Sequence, residues 1–312
     1  MRYLRLLSWV AGAAWAIEDA KAQMMLDVLV SRAIGGVRAF DREDERFERE
    51  RDERQAAERR RNEPQDGVAI VPVMGVISPR VQDVEGLSTG GGMSAEGFAA
   101  GMRQLAADPN VSGIVLDINS PGGNVYGIAE AAEAIREARG AKPVWAVAHH
   151  QAASAAYWLA SVAEQLVVTP SAEVGSIGVY SYHEDVSKRL DMLGVKPTLI
   201  KAGPNKAEGH PAFALGEEAA AYAQSRVDDY YAMFVRDVAK GRGVPVSTVR
   251  DSFGGGRMVG AQEAVRLGMA DRVDSLAGTV KRMQRTAGKQ KSAGAASGGD
   301  DIRARRRRLA VA

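Results

Sequence analysis

Cysteine is absent from the 312 residues. That excludes disulfide scaffolds, thiolate metal sites, iron–sulfur clusters and a cysteine nucleophile together, and it fits a reducing, cytoplasmic compartment. Histidine is scarce: His149, His150, His183 and His210 are the only four, so chemistry that needs several imidazoles is short of parts. Uninterrupted apolar runs of about 20 residues, the length of a membrane-spanning helix, are missing too. The most apolar stretch, residues 1–17, is broken by Ser8 and soon followed by Glu18 and Asp19. Its basic start and small residues resemble a secretory signal. The helix-period pattern that follows favours an N-terminal helical segment over residues 1–40, and a membrane partner is not expected.

Charge is nearly balanced, at +2, but unevenly placed. Residues 281–312 carry ten basic and two acidic side chains, so the remainder sums to −6. A weakly acidic body argues against nucleic acid as a required partner. Between Asp41 and Asn62 nine acidic and eight basic residues leave almost nothing apolar. Such a segment cannot offset its ordering entropy by burial, so residues 41–66 read as an exposed charged helix or a linker. The body is expected over 67–288, and 289–312 as a disordered basic tail that either is simply solvated or addresses an acidic partner.

Within the body, strands and helices alternate. Continuous β-branched runs at Val68–Ile77, Ser112–Asn119, Pro143–Val147 and Leu166–Thr169 predict buried strands, with weaker strands at Ile177–Tyr180 and Thr198–Ile200. Helices are predicted over Ser94–Ala106 (Ser94 as N-cap), Ile128–Arg139, Ala153–Ala163, Glu184–Leu193 and Glu217–Lys240. This order implies an α/β fold with right-handed crossovers and a mainly parallel sheet, with chemistry at the C-terminal ends of its strands.

Two loops lie at such ends. The first, Ser120-Pro121-Gly122-Gly123-Asn124, has glycines that let backbone N–H groups approach an anion or oxyanion; as a bare motif it is equally a plain turn. The second, His149-His150-Gln151-Ala152-Ala153-Ser154-Ala155-Ala156, sets Ser154 before an apolar helix. There a serine is either an N-cap or a nucleophile. His149 and His150 are too near in sequence to fold back onto Ser154 as its base, and neighbours in a strand point oppositely. Lys206, in a later loop, reads from composition as a solvated surface lysine. Asp117 reads as structural within its strand, Glu208 as pointing away from any site, and His210 as a loop or interface residue.

Five stretches in order, IVLDINSPGG (114–123), ASAAYWLAS (153–161), GSIGV (175–179), LIKAGPNKAEGHP (199–211) and GGRMVGAQEAVRLGMADRVDS (255–275), resemble the S49 family of serine peptidases, of the signal-peptide-peptidase-A type. WAIEDAKAQMMLDVLVSRAIGG (15–36) and DGVAIVPVMGVISPR (66–80) are similar to its bacteriophage head-maturation branch. The resemblance implies a ClpP/crotonase-like fold of repeated β-β-α and βαβ units, a mainly parallel sheet and flanking helices. It implies Ser154 as nucleophile, Lys206 as general base of a Ser-Lys dyad, and Ser176 orienting the lysine. Gly123 and Ala155 would be oxyanion donors, with Gly122 as an adjacent helper. It also implies capsid or scaffold proteins as substrates in phage or prophage head assembly, a homo-oligomeric ring in which Lys206 serves a neighbour's Ser154, and no metal or cofactor. A cellular S49 peptidase acting on signal or membrane peptides and an inactive assembly protein are the alternatives. Many relatives carry Ser-Gly-Gly at the nucleophile where this chain has Ser-Ala-Ala, and the added methyls narrow the site.

Overall fold

Strand order follows from the apolar runs. A computed structural model describes residues 14–17, 64, 66–80 and 92–287. Strands β1 (Trp15–Ile17), β2 (Val68–Met74), β3 (Val76–Ser78) and β4 (Gly92–Ser94) precede helix α1 (Ala95–Ala107). Then come β5 (Gly113–Ser120), β6 (Gly122–Asn124), α2 (Ile128–Ala141), β7 (Val144–Ala153), α3 (Ala155–Ser161), β8 (Gln165–Val168) and β9 (Glu173–Gly175). The chain continues through α4 (Ser187–Met192), α5 (Glu217–Arg242), α6 (Val246–Ser252), β10 (Met258–Gly260), α7 (Ala261–Arg266) and β11 (Arg272–Val273), and residues 276–287 are helical.

The main sheet runs β10-β9-β7-β5-β2, with β8 joined to β7 and β11 to β8. All its pairings are parallel except β10 with β9. Parallel sheets are covered on both faces, which explains why the first halves of β5 and β7 are apolar without alternation. One face packs α1, α2, α3 and α5 in the larger core, around Leu116, Ile135, Trp158 and Phe234. The other face carries Val68, Val115, Val147 and Val167 against Val280 and Met283 of the last described helix. The Trp158 and Phe234 rings stack at 4.7 Å, joining α3 to α5, a contact worth about 0.5–1.5 kcal/mol beyond the area buried. Gly241 lets α5 approach α3 closely, since a methyl there would lie 2.3 Å from the Ser161 carbonyl oxygen. A second, four-stranded sheet, β1-β6-β3-β4, takes up the chain just after the C-terminal ends of β2 and β5.

Several expected elements change. The run at 68–77 divides into β2 and β3 at Gly75, whose φ of 67° turns the chain from one sheet into the other. Ser94 caps α1 as expected, accepting from the Gly97 N–H at 3.0 Å. Ile177–Tyr180 is not a strand; the strand there is β9, and Tyr180 makes a single bridge to Trp15. Thr198–Ile200 is not a strand either: it lies exposed, with no sheet edge to pair with. Trp15–Ile17 form a strand where a helical segment was expected, because an edge of β6 is available to them and pairing outweighs helical pattern. The rest of 1–40, nearly all of the charged 41–66 segment and the 289–312 tail lie outside the described residues. Among the described residues no helix is long and apolar enough to cross a membrane.

Candidate active site

Ser154 is positioned by an irregularity in β7. Ile118 pairs with Ala148, but Ser120 pairs with Ala152, so His149, His150 and Gln151 together face Asn119 alone. A bulge of this kind bends and twists its strand. Here it moves β7 from β8, its partner up to Ala148, to β9, its partner from Gln151 onward. The bulge also corrects the expectation that the adjacent histidines point oppositely: their rings stack at 4.6 Å, because alternation fails where pairing fails. His149 Nδ1 lies 3.1 Å from Oδ1 of buried Asp117, which is a structural pairing within the sheet.

The bent strand ends on Ser154, which has φ 54° and ψ −120°. Asp66, Ser154 and Ser176 are the three non-glycine residues with positive φ among those described. A β-carbon in such a conformation costs on the order of 1–3 kcal/mol and persists only where surrounding bonds impose it. Those bonds are present: the Ser154 N–H donates to the Gly175 carbonyl at 2.7 Å, and its own carbonyl accepts from the Trp158 N–H at 2.9 Å. The result is a sharp strand-to-helix turn with the side chain at its apex, the geometry of a nucleophile elbow. The N-cap reading fails, since the hydroxyl caps nothing. Oγ is buried without any hydrogen-bond partner, although a hydroxyl is costly to desolvate unpaired.

The Ser-Pro-Gly-Gly loop is not a plain turn; it carries β6 past this serine. Gly122 has φ 94°, and a methyl on it would sit 3.0 Å from the Ala155 nitrogen and 2.9 Å from the Ala153 carbonyl oxygen. A methyl on Gly123 would fall 1.8 Å from the Ile77 carbonyl oxygen, so β6 and β3 approach at a distance no side chain permits. The Gly122 N–H donates to Ser120 Oγ at 3.2 Å, and that hydroxyl donates to the Gly75 carbonyl at 2.6 Å. The Gly122 donor is therefore engaged, and its backbone lies against that of Ala153 and Ala155, the residues on either side of Ser154.

Ser176 follows the carbonyl that holds Ser154 and is itself held at φ 52°, its N–H donating to Arg257 O at 2.9 Å. The backbones of Ala153, Ala155 and Gly122 thus meet around Ser154, and Ser176 follows directly on the Gly175 that holds it. Lys206 does not join them within one chain: it is exposed on the turn-rich stretch 201–210, and no hydrogen bond links it to Ser154. Glu208 is exposed beside it, and His210 Nδ1 accepts from the Ala212 N–H, a local loop bond. The arm leading to Lys206 displays apolar side chains to solvent, with Met192 82% and Ile200 93% exposed.

Sequence reasoning missed β1. Its three residues are buried and run antiparallel to β6 in the register Trp15–Asn124, Ala16–Gly123, Ile17–Gly122. A three-residue strand carries too little periodicity to be recognised without the partner that orders it.

Residues 136–290 match peptidase family S49. The chain is 37% identical over 207 residues to the capsid assembly protease C of Escherichia phage lambda, covering 66% of this chain and 46% of that protein. It is 35% identical over 207 residues to the head-tail preconnector protein GP5 of Enterobacteria phage P21, covering 66% of this chain and 40% of that protein. A putative signal peptide peptidase SppA of Enterococcus faecium is 30% identical over 179 residues, 57% of this chain and 52% of that protein. The chain therefore spans less than half the length of the two phage relatives.

Proposed function

Because the chain carries a peptidase family S49 domain, we propose that it is a serine endopeptidase working through a Ser154–Lys206 dyad on capsid and scaffold proteins during phage or prophage head assembly. The observation that carries the chemistry is Ser154 itself: a strained apex residue whose buried hydroxyl has no partner in the chain. The phage relatives support the substrate class.

In the reaction the Lys206 amine accepts the Ser154 proton as Oγ attacks a peptide carbonyl carbon. The N–H groups of Gly123 and Ala155 stabilise the oxyanion, each contributing on the order of 2.7–4 kcal/mol in the transition state. The lysine then protonates the leaving amine, an acyl-serine forms, and water attacks it to release the new carboxylate. Ser176 orients the amine.

A lysine is protonated at neutral pH unless water is kept from it, so this role requires a covered amine. Exposed Lys206 gains such cover from a second copy of the chain packed on the apolar arm that includes Met192, Leu193 and Ile200. Each such side chain contributes about 1.5–3 kcal/mol when fully buried. The active form is therefore a homo-oligomeric ring, its dyad completed across subunits.

Fluorophosphonate labelling tests the reading. Wild type labels at Ser154, and both Ser154→Ala and Lys206→Ala abolish labelling. Equal labelling of all three removes the dyad.

A further inference from the structure

Ser154 is only 1% exposed, although a nucleophile that acts on other proteins must be reached from outside. Strand β1 lies close by, paired to β6 with its Ala16 carbonyl against Gly122, beside Ala155. Ala14, Trp15, Ala16 and Ile17 are all buried, and the strand is held from two sides. On one side the Val125 N–H donates to the Ala14 carbonyl at 3.3 Å. The alternation of an antiparallel ladder makes Ala16 and Gly123 the next hydrogen-bonded pair. On the other side the Trp15 N–H donates to the Tyr180 carbonyl at 2.9 Å, and the Tyr180 N–H donates to the Trp15 carbonyl at 3.0 Å. This two-sided main-chain clamp is how an extended peptide is gripped by strand addition.

The register aims a particular bond at the serine. A methyl on Gly122 would touch the Ala16 carbonyl oxygen at 2.3 Å and the Ala155 nitrogen at 3.0 Å together. The Ala16 carbonyl and the Ala155 N–H therefore both lie against the same point of Gly122, close to where a scissile carbonyl would be polarised.

Resting on the peptidase reading above, we propose that β1 occupies the substrate groove of its own chain. It presents the Ala16–Ile17 bond to Ser154 and keeps the enzyme latent until it is displaced. Substrate peptides bind in the same place, extended and antiparallel to β6, with a small residue such as alanine on the acyl side of the bond. In cleaving such a peptide, Ser154 Oγ bonds to the alanine carbonyl carbon and the C–N bond to the next residue breaks. The freed amine takes the serine's proton by way of the lysine, and water hydrolyses the ester.

The test compares the full chain with two released forms, a deletion of residues 1–17 and the full-length Trp15→Pro variant, which lacks the N–H given to Tyr180. Either released form is expected to react with a fluorophosphonate at Ser154 about tenfold faster or more, the factor for a groove free a tenth of the time or less in the parent. A synthetic peptide of residues 12–20, added to a released form, is expected to be cut between its Trp-Ala and Ile-Glu halves. Labelling no faster in either form overturns the latency. A peptide left whole, or cut at another bond, while a general protein substrate such as casein is digested overturns the register. Absence of labelling in every form, wild type included, refutes the Ser154 assignment instead.

Discussion

Gly123→Ala is the sharpest perturbation the site offers. The added methyl would lie 1.8 Å from the Ile77 carbonyl oxygen and 2.6 Å from both the Ile77 carbonyl carbon and nitrogen, where ordinary contact begins at 3.4 Å. The obstacle is backbone in β3, so no side chain can swing aside. Relief requires β6 to move back by more than about an ångström, against β1 on its other edge. Overpacking of this kind costs about 1–3 kcal/mol, which leaves the protein folded. Catalysis should suffer more. A displacement of about 1 Å at a reacting centre costs on the order of 10²-fold, and loss of an oxyanion donor about 10²–10³-fold. The expected result is a kcat lowered about 10²–10³-fold with a modest fall in urea midpoint, read from peptide hydrolysis and a denaturant melt on the same preparation. Gly101→Ala is the control: it lies within α1 with nothing within 4 Å of the added methyl, and it should stabilise by about 0.5–1 kcal/mol with kcat unchanged. Wild-type kcat in Gly123→Ala would refute both the tight β6–β3 approach and the donor role of residue 123.

Three further outcomes follow from other contacts. Mixing Ser154→Ala with Lys206→Ala chains should restore labelling at roughly a quarter of sites under random assembly, because a ring pairs the intact serine of one chain with the intact lysine of the other; no restoration places the dyad within one chain. Gly241→Ala should lower stability by about 1–3 kcal/mol by thermal melt despite its better helix propensity, since its methyl meets Ser161 O at 2.3 Å; an unchanged melting temperature would show that α5 can slide on α3. Burial alone would push the Asp271 carboxyl up, but bonds from Arg242 and the Leu166 N–H hold it below the usual carboxylate range. A carboxyl depressed by folding contributes stability that is present above its unfolded pKa and lost as pH falls through the folded value. Wild type should thus exceed Asp271→Asn in stability at neutral pH, and the gap should close below about pH 4; a gap independent of pH would show that the Arg242 pair contributes no charge-dependent stability.

What the sequence made legible was set by how local each signal is. The β-branched runs of β5 and β8 and the capped start of α1 are written in adjacent residues and read correctly. The bulge in β7 is not: nothing in His-His-Gln distinguishes a strand that continues from one that buckles, because the cause is the change of neighbour from β8 to β9. The same is true of Gly123, whose requirement for glycine comes from Ile77, 46 residues earlier and on the neighbouring strand of the second sheet. The predicted strand at Thr198–Ile200 failed for the converse reason. Its β-branched residues are suited to pairing, yet the lone chain offers them no edge, and Ile200 stands almost wholly in solvent. Such residues are read well only when all their partners belong to the same chain.

That contrast bears on how the site is switched. In a single chain the two groups of the proposed dyad sit in the wrong surroundings for opposite reasons: the serine is buried, with β1 in the proposed groove beside it, and the lysine is open to water. On the two proposals above, covering the lysine requires assembly, and uncovering the serine requires β1 to leave. These are separate events with separate readouts, since labelling with a fluorophosphonate needs access to Ser154 as well as a functioning base. A deletion of residues 1–17 opens the groove without changing the apolar arm. Its labelling should therefore still rise with protein concentration as subunits associate, whereas the full chain should remain slow even when assembled. The proposed role in head assembly calls for this behaviour, because activity before assembly would destroy the substrate it would process. Two independent requirements, one met by association and one by release of a strand, delay cleavage until both are satisfied.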